Sequence, residues 1–246
     1  RTAISGGACP KYEVPTKSMP KLDKDAPNPF ELREELLKRF IKENPEGAAV
    51  AVPQTGALAG VMPFVTTLIG ELGFSVKLLK SNSKSLARGE QMCFSFDSCG
   101  PVKIAHAICD TDVPILFYPK LVTLADPRGR GGDTCLTEQA EPEIIEQSLK
   151  ARGKGVRVLR PALSFQEGMN TKDNLENLQG LITDLGVDAS SLESAVAKAS
   201  AAQEQYDDTL LRYGEQAMAY SRERNIPMVL VCGSLHVVHD PAINAN

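Results

Sequence analysis

Apolar residues along this chain recur with two different spacings, which predicts short strands that alternate with helices. The predicted strands are residues 48–52, 75–79, 114–118 and 156–159. The predicted helices between and around them are residues 29–41, 58–72, 101–109 and 142–151. Strands that alternate with helices form parallel sheets with right-handed crossovers. We therefore expect an α/β fold with an open, mainly parallel, Rossmann-like sheet and flanking helices, followed by a helical segment.

The pattern changes along the chain and predicts four segments. An extended arm at 1–28 precedes the α/β domain at 29–160, and a helical segment follows at 161–225. Ser190 and Glu193 have the spacing of a capping box, which predicts one long helix to Arg224, about 50 Å at roughly 1.5 Å per residue. Residues 228–232 predict a buried strand, so 226–246 is interpreted as the start of a second, truncated α/β unit. The chain is expected to be a piece of a longer protein.

Composition excludes several classes of function. The formal net charge is −4, so there is no basic excess to bind nucleic acid. No apolar run reaches the roughly 18 residues of a membrane span, and no export signal is present. Six cysteines in a large α/β chain of this kind favour a reducing, cytoplasmic compartment over a disulfide framework. No Walker loop, G-x-G-x-x-G or G-x-S-x-G motif occurs.

Cys99 is the first candidate for chemistry. It directly precedes Gly100 and Pro101, and proline suits the first position of a helix. Unpaired amides and the helix dipole at such an end stabilise a thiolate, the form that ligates metals or attacks electrophiles. Lys103 and His106 lie one turn apart on the same helix face and are secondary candidates. A buried structural thiol for Cys99 and a packing role for His106 are the competing interpretations.

The other cysteines divide into two groups. Cys135 follows a glycine-rich loop and precedes the helix predicted from Pro142, so it can meet Cys99 at the carboxyl edge of the sheet, where ligands collect. Cys9 lies on the polar arm, where a metal ligand and a simple exposed thiol are equally compatible with the sequence. The remaining three have apolar or helical neighbours and are expected in the core: Cys93, Cys109 and Cys232.

Several segments resemble motifs of one known family. Residues 71–76 (ELGFSV) resemble the pattern ELGFxV, and residues 95–106 (SFDSCGPVKIAH) resemble SDxxCFPAKLAHGH. Residues 115–119 resemble xIFYP, Cys135 with Pro142 resembles CPxxxxxP, and residues 229–244 resemble GRPYHxDPxxN. Over about residues 48–246 the chain thus resembles the large CoA-substrate enzyme activases related to 2-hydroxyglutaryl-CoA dehydratase and benzoyl-CoA reductase.

This resemblance implies an iron–sulfur protein of an anaerobe's cytoplasm. It implies a [4Fe–4S] or double-cubane cluster, for which Cys99 and Cys135 are the carried-over ligands and Cys9 is the third candidate. It also implies an activator ATPase region, in the same or a partner chain, that drives electrons to low potential. An acyl-CoA is the implied substrate, and a homodimer is the implied candidate assembly.

The sequence is also compatible with two other functions. The domain could be a metal-free, Rossmann-like module that binds the activator ATPase or a small ligand. It could also be a thiol redox protein that uses Cys93 and Cys99, although their separation does not match the C-x-x-C spacing of such proteins.

Overall fold

The apolar runs assemble into one parallel sheet in the computed structural model of the chain, which describes residues 23, 25–42, 44–93, 98–125, 132–240 and 242–243. The strands are β1 (Ala49–Pro53), β2 (Ser75–Leu79), β3 (Ile115–Phe117), β4 (Lys120–Leu124), β5 (Gly132–Asp133), β6 (Arg157–Leu159) and β7 (Ala162–Ser164). The helices are α1 (Pro29–Lys38), α2 (Met62–Glu71), α3 (Ser85–Glu90), α4 (Gly100–Ile108), α5 (Leu136–Ala151), α6 (Lys172–Leu185), α7 (Leu192–Arg224) and α8 (Leu235–His239). Short 3₁₀ helices occupy Gly56–Val61 and Ala189–Ser191.

The main sheet has the order β2-β1-β3-β6, with every pair parallel. Val50 of the central strand pairs with Val76 on one side and Ile115 on the other. Val50 and its two successors are fully buried, as expected for a parallel strand that is covered on both faces. The predicted α/β fold with a mainly parallel sheet is therefore confirmed.

Chain order around the sheet places helices on both faces. The chain moves from β1 to β2 in one direction and from β2 past β1 to β3 in the other. Since connections between parallel strands are right-handed as a rule, this order puts α2 on one face and α4 and α5 on the opposite face. The α2 face is completed by α7, which packs along α2 and also contacts α1. The strand order reverses between β1 and β3, which is where open α/β sheets commonly bind ligands.

Several predicted boundaries are confirmed. Asn28 caps α1 by accepting a hydrogen bond from the Phe30 amide, and β2 has the predicted limits. Gly73 follows α2 with a φ of 93°, a left-handed conformation that glycine adopts without steric cost. The long helix is present as α7, whose 33 residues span about 50 Å.

Two details of the helix starts differ from the prediction. The capping box at Ser190 does not form, because the Asp188 side chain accepts from the Ser190 amide and caps the preceding 3₁₀ turn instead. Helix α5 begins at Leu136 rather than Pro142, and its first turn closes through the Gln139 amide and the Cys135 carbonyl, 3.0 Å apart. Pro142 is thus inside the helix, where it leaves one backbone hydrogen bond unmade.

The predicted strand at 228–232 is wrong. Residues 226–234 have no assigned strand or helix and are exposed, and Cys232 is exposed with them. A strand requires a neighbouring backbone to complete its ladder, and no described residue pairs with this stretch. The proposed second α/β unit at 226–246 stays a prediction.

A second, smaller sheet was not predicted. It has the order β5-β4-β7, with β5 antiparallel and β7 parallel to β4. Strand β4 begins three residues after β3, and β7 begins three residues after β6, so each is a continuation of the chain beyond the carboxyl edge of the main sheet. Within the described ranges, no helix combines the length and the apolar character that a membrane crossing requires.

Candidate functional site

Cys99 lies where its sequence context predicts, immediately before a helix. It is the N-cap residue of α4, with extended backbone, and it is exposed. Its side chain makes no capping hydrogen bond. Because α4 runs from the carboxyl edge of the sheet back to the amino edge, the Cys99 thiol lies at the carboxyl edge and is accessible from solvent.

The two secondary candidates on α4 have structural partners. Lys103 forms an ion pair with Glu90 of α3, with Nζ and Oε1 3.2 Å apart. His106 is only 3% exposed, and its Nδ1 lies 2.8 Å from the carbonyl oxygen of Val102, one turn earlier. Burial lowers the pKa of His106, so the ring is neutral at physiological pH. The packing interpretation of His106 therefore has direct support.

Cys135 occupies the equivalent place on the next helix. It is the N-cap residue of α5, it is exposed, and its side chain makes no capping hydrogen bond. It lines an open cavity of about 270 Å³ together with Glu138, Ser234 and His236. We call this space the Cys135 cavity.

The structure places Cys99 and Cys135 at the starts of neighbouring helices. Helices α4 and α5 pack side by side, and an ion pair of 3.0 Å joins Arg152 after α5 to Asp110 after α4. Both cysteines therefore begin helices that run in the same direction on one face of the sheet. Cys99 is not among the residues that line the Cys135 cavity.

The remaining cysteines complete the comparison with the prediction. Cys9, the third candidate ligand, lies outside the described residues. Cys109 is fully buried, as predicted, and burial raises the pKa of its thiol. Cys93 is only partly buried, and Cys232 is exposed, so the core assignment of Cys232 is wrong. Among the described residues, no group of three or more histidine, cysteine or acidic side chains is arranged to hold a metal ion.

Sequence reasoning missed two glutamates of α5. Glu138 and Glu141 are three residues apart, so both face the sheet edge at the point between β1 and β3 where the strand order reverses. Glu138 Oε2 accepts a hydrogen bond of 3.3 Å from the Ala57 amide, at the start of the 3₁₀ helix after β1. Tyr118, which follows β3, donates its hydroxyl hydrogen to Glu141 Oε2. The spacing Glu-x-x-Glu was the available signal in the sequence.

Glu141 is the most perturbed acid of this edge. Its side chain is 2% exposed, and its second oxygen, Oε1, has no hydrogen-bond partner among the described residues. Burial raises the pKa of Glu141 to about 8, against the opposing effect of the Tyr118 hydrogen bond. The same burial raises the pKa of Tyr118 well above its usual range. Beside them is a cavity of about 20 Å³, which is enough for one water molecule.

The C-terminal segment closes over this edge. Leu235 packs against the 3₁₀ helix that follows β1, beside Gly60. Asp240, 4% exposed, accepts a hydrogen bond of 2.5 Å from Ser81, directly after β2. His236 Nδ1 lies 3.2 Å from Glu138 Oε1. These contacts hold residues 234–240 across the carboxyl ends of β1 and β2.

A third and larger cavity, of about 720 Å³, lies between α1, the ends of β1 and β2, and the C-terminal segment. Glu34 pairs with two of its basic side chains, those of Arg33 and Lys80. Lys80 Nζ is 2.7 Å from Glu34 Oε2, and Gln54 Nε2 donates to the other oxygen of Glu34 at 3.3 Å. Burial lowers the pKa of His239, which also lines this cavity, to about 4.

The sheet, its crossovers and this edge define the class of the protein: a doubly wound α/β domain whose carboxyl edge carries two cysteines at helix N-termini, two glutamates and a histidine. The chain belongs to the CoA enzyme activase uncharacterised domain family (DUF2229), whose model matches residues 50–246. This match confirms the activase part of the resemblance. Comparison with curated proteins and with solved structures gave no match.

Proposed function

We propose that this domain bears an iron–sulfur cluster and transfers electrons within an ATP-driven CoA-substrate enzyme activase, as in proteins related to 2-hydroxyacyl-CoA dehydratases. One observation carries the proposal. Cys99 and Cys135 both begin helices, both are exposed, and both helices start at the carboxyl edge of one sheet. Family membership supports the activase context.

The residues at this edge fit part of the ligand set of a cluster. Iron–sulfur clusters are held by thiolates, commonly four, and hydrogen bonds to sulfur tune their potential. Cys99 and Cys135 would supply two of these thiolates, and Cys9 is the candidate for a third. The amides that open α4 and α5 would donate hydrogen bonds to the bound sulfur atoms. A bound [4Fe–4S] or double-cubane cluster would supply low-potential, one-electron transfer.

The proposal also names partners. The chain carries no Walker loop, so ATP hydrolysis would come from an activator ATPase region of the same or a partner chain. The electrons would serve a reaction on an acyl-CoA. The exposed ends of α4 and α5 are the surface on which an electron donor would have to approach.

The second candidate function is a metal-free binding module. The observation that favours it is the pair of cavities along the carboxyl edge, of about 270 and 720 Å³. The larger one lies in the range of small-molecule sites, and the location is where open α/β sheets bind ligands. In this case the module would bind a small ligand or the activator ATPase without a cluster.

Anaerobic reconstitution with iron and sulfide separates the two functions. The cluster proposal predicts stoichiometric iron and sulfide in the parent and a large loss of both in Cys99→Ser and Cys135→Ser. Cys232→Ser is the matched control, because Cys232 is also exposed but lies outside the proposed ligand set. Circular dichroism checks that every variant is folded. A parent that binds no iron, or Cys99→Ser and Cys135→Ser variants that bind as much iron as the parent, would favour the metal-free module.

A further inference from the structure

Three side chains at the Cys135 cavity are in contact in the order serine, histidine and glutamate, through one hydrogen bond and one ion-pair distance. Ser234 Oγ lies 2.9 Å from His236 Nε2, and His236 Nδ1 lies 3.2 Å from Glu138 Oε1. In the tautomer with the hydrogen on Nδ1, beside the carboxylate, Nε2 is free to accept the hydrogen of the serine hydroxyl. This order, serine to imidazole to carboxylate, is that of an activated nucleophile, its base and the group that orients the base.

Ser234 and Glu138, at the two ends of this row of three side chains, differ in their exposure to solvent. Ser234 is exposed, whereas the side chains of His236 and Glu138 are 29% and 14% exposed. All three line the Cys135 cavity, whose volume of about 270 Å³ holds a small organic group. The carboxylate is fixed from its other side by the Ala57 amide. The nucleophile thus faces open space, and the orienting group is held by backbone.

A long helix begins at the edge of this cavity, although the first two residues of the helix, Leu136 and Thr137, are not among those that line it. Cys135 and Glu138 line it and belong to the first turn of α5, a helix of 16 residues. Within the described part of the chain, the amides of Leu136 and Thr137 have no hydrogen-bond acceptor. Amides at the start of a long helix favour negative charge, including the charge that develops on the oxygen of an attacked carbonyl.

We propose that Ser234, His236 and Glu138 form a catalytic relay that hydrolyses small acyl esters and thioesters in the Cys135 cavity. Ser234 Oγ forms a bond to the acyl carbon while its proton moves to His236 Nε2. The bond to the alcohol or thiol breaks, and that group leaves with the proton from Nε2. Water then attacks the acyl-serine, gives one proton to Nε2 and releases the carboxylic acid, and the proton returns to Ser234. Glu138 acts as a positioning residue through His236.

This activity goes beyond the proposed electron transfer and requires neither iron nor Cys99. The direct test is labelling of the folded chain with a fluorophosphonate, which forms a bond to an activated serine with loss of fluoride. Mass spectrometry of the digested protein identifies the labelled residue. Turnover is measured with p-nitrophenyl acetate and with a short acyl thioester.

We expect label on Ser234 and a loss of turnover of about 100-fold or more in Ser234→Ala and His236→Asn. Glu138→Gln keeps an oxygen for the Ala57 amide but disturbs the orientation of His236, so kcat should fall at least about 10-fold while KM stays unchanged. Ser190→Ala is the matched control, because Ser190 is an exposed serine whose hydroxyl donates to Asp188 at 2.8 Å, away from the cavity.

Three outcomes would overturn the proposal. The first is a folded parent that is not labelled at Ser234. The second is label on Cys135, which shares the cavity and would then be the nucleophile. The third is turnover in Ser234→Ala equal to that of Ser190→Ala. Iron binding is measured separately, so a failure here leaves the cluster proposal unaffected.

Discussion

The buried glutamate of α5 should make the domain lose stability as the pH rises. Burial raises the pKa of Glu141 from 4.5 to about 8, so its carboxyl is protonated at pH 7 in the folded protein and ionised in the unfolded chain. Unfolding therefore releases a proton between these two pH values, and the free energy of unfolding must fall as pH increases through them. Glu141→Gln replaces the acid with an amide of the same shape that does not titrate.

The expected size follows from the two pKa values. One pKa unit corresponds to about 1.4 kcal/mol, and most of the interval from 4.5 to about 8 is crossed below pH 7. Between pH 5 and pH 7 the parent should lose about 2–3 kcal/mol through this group. Glu141→Gln lacks this loss, so its stability relative to the parent should rise by the same amount over the interval.

Urea unfolding at a series of pH values, followed by circular dichroism, measures both curves. Glu146→Gln is a control of opposite sign on the same helix. The hydrogen bond from Lys150 lowers the pKa of Glu146, so this group stabilises the fold at neutral pH and loses that effect as pH falls below about 4.5. If the free energy of unfolding depends on pH in the same way in Glu141→Gln and in the parent from pH 5 to pH 7, then Glu141 is not protonated in the folded protein at neutral pH.

Three further predictions concern packing. Gln203 is 3% exposed, accepts a hydrogen bond from the Phe64 amide at 3.2 Å and donates one to the Gly60 carbonyl before α2. Gln203→Leu should therefore lower the free energy of unfolding by about 2–4 kcal/mol in the same urea assay. Gln205→Leu, at an exposed position of the same helix, should change it by less than about 0.5 kcal/mol. A Cβ at Gly89 would lie 1.6 Å from the carbonyl oxygen of Lys103, so Gly89→Ala should separate α3 from α4 and lower the thermal midpoint by several degrees; an unchanged midpoint would contradict this close approach. Cys232→Ser should change the thermal midpoint by less than about 2 °C, because the Cys232 side chain is exposed. A larger decrease would show that Cys232 is buried in the folded protein.

The main parallel sheet was predictable because local patterning and chain connectivity act together. The apolar run at 75–79 predicts a strand, and Gly73 predicts the end of a helix because glycine adopts positive φ readily. Both signals are local properties of the sequence. Right-handed crossovers then limit how such strands can be arranged. The place of Cys99 before α4 follows in the same way, because Gly100 and Pro101 specify the start of a helix.

Tertiary contacts decided the rest. Residues 228–232 have the composition of a buried strand, but a strand forms only where another backbone completes its hydrogen bonds, and none of the described residues does so. Cys135 was placed in a loop because Pro142 suggested a helix start, yet a helix can contain a proline when packing against β4 and α4 offsets the missing hydrogen bond.

The candidate sites show the same division. Sequence motifs identified the candidate cysteines. The contacts of Glu138 with His236, and of His236 with Ser234, join α5 to a segment almost 100 residues later, and no local pattern connects the two. Likewise, Glu141 has the sequence of an ordinary helical glutamate, and its raised pKa arises from the strands and helices that exclude water around it. The sequence by itself determined the strands and helices of the main sheet and the place of Cys99 before a helix, since these depend on neighbouring residues. Only the tertiary structure decided which side chains meet and which lose water, because both depend on residues that are distant along the chain.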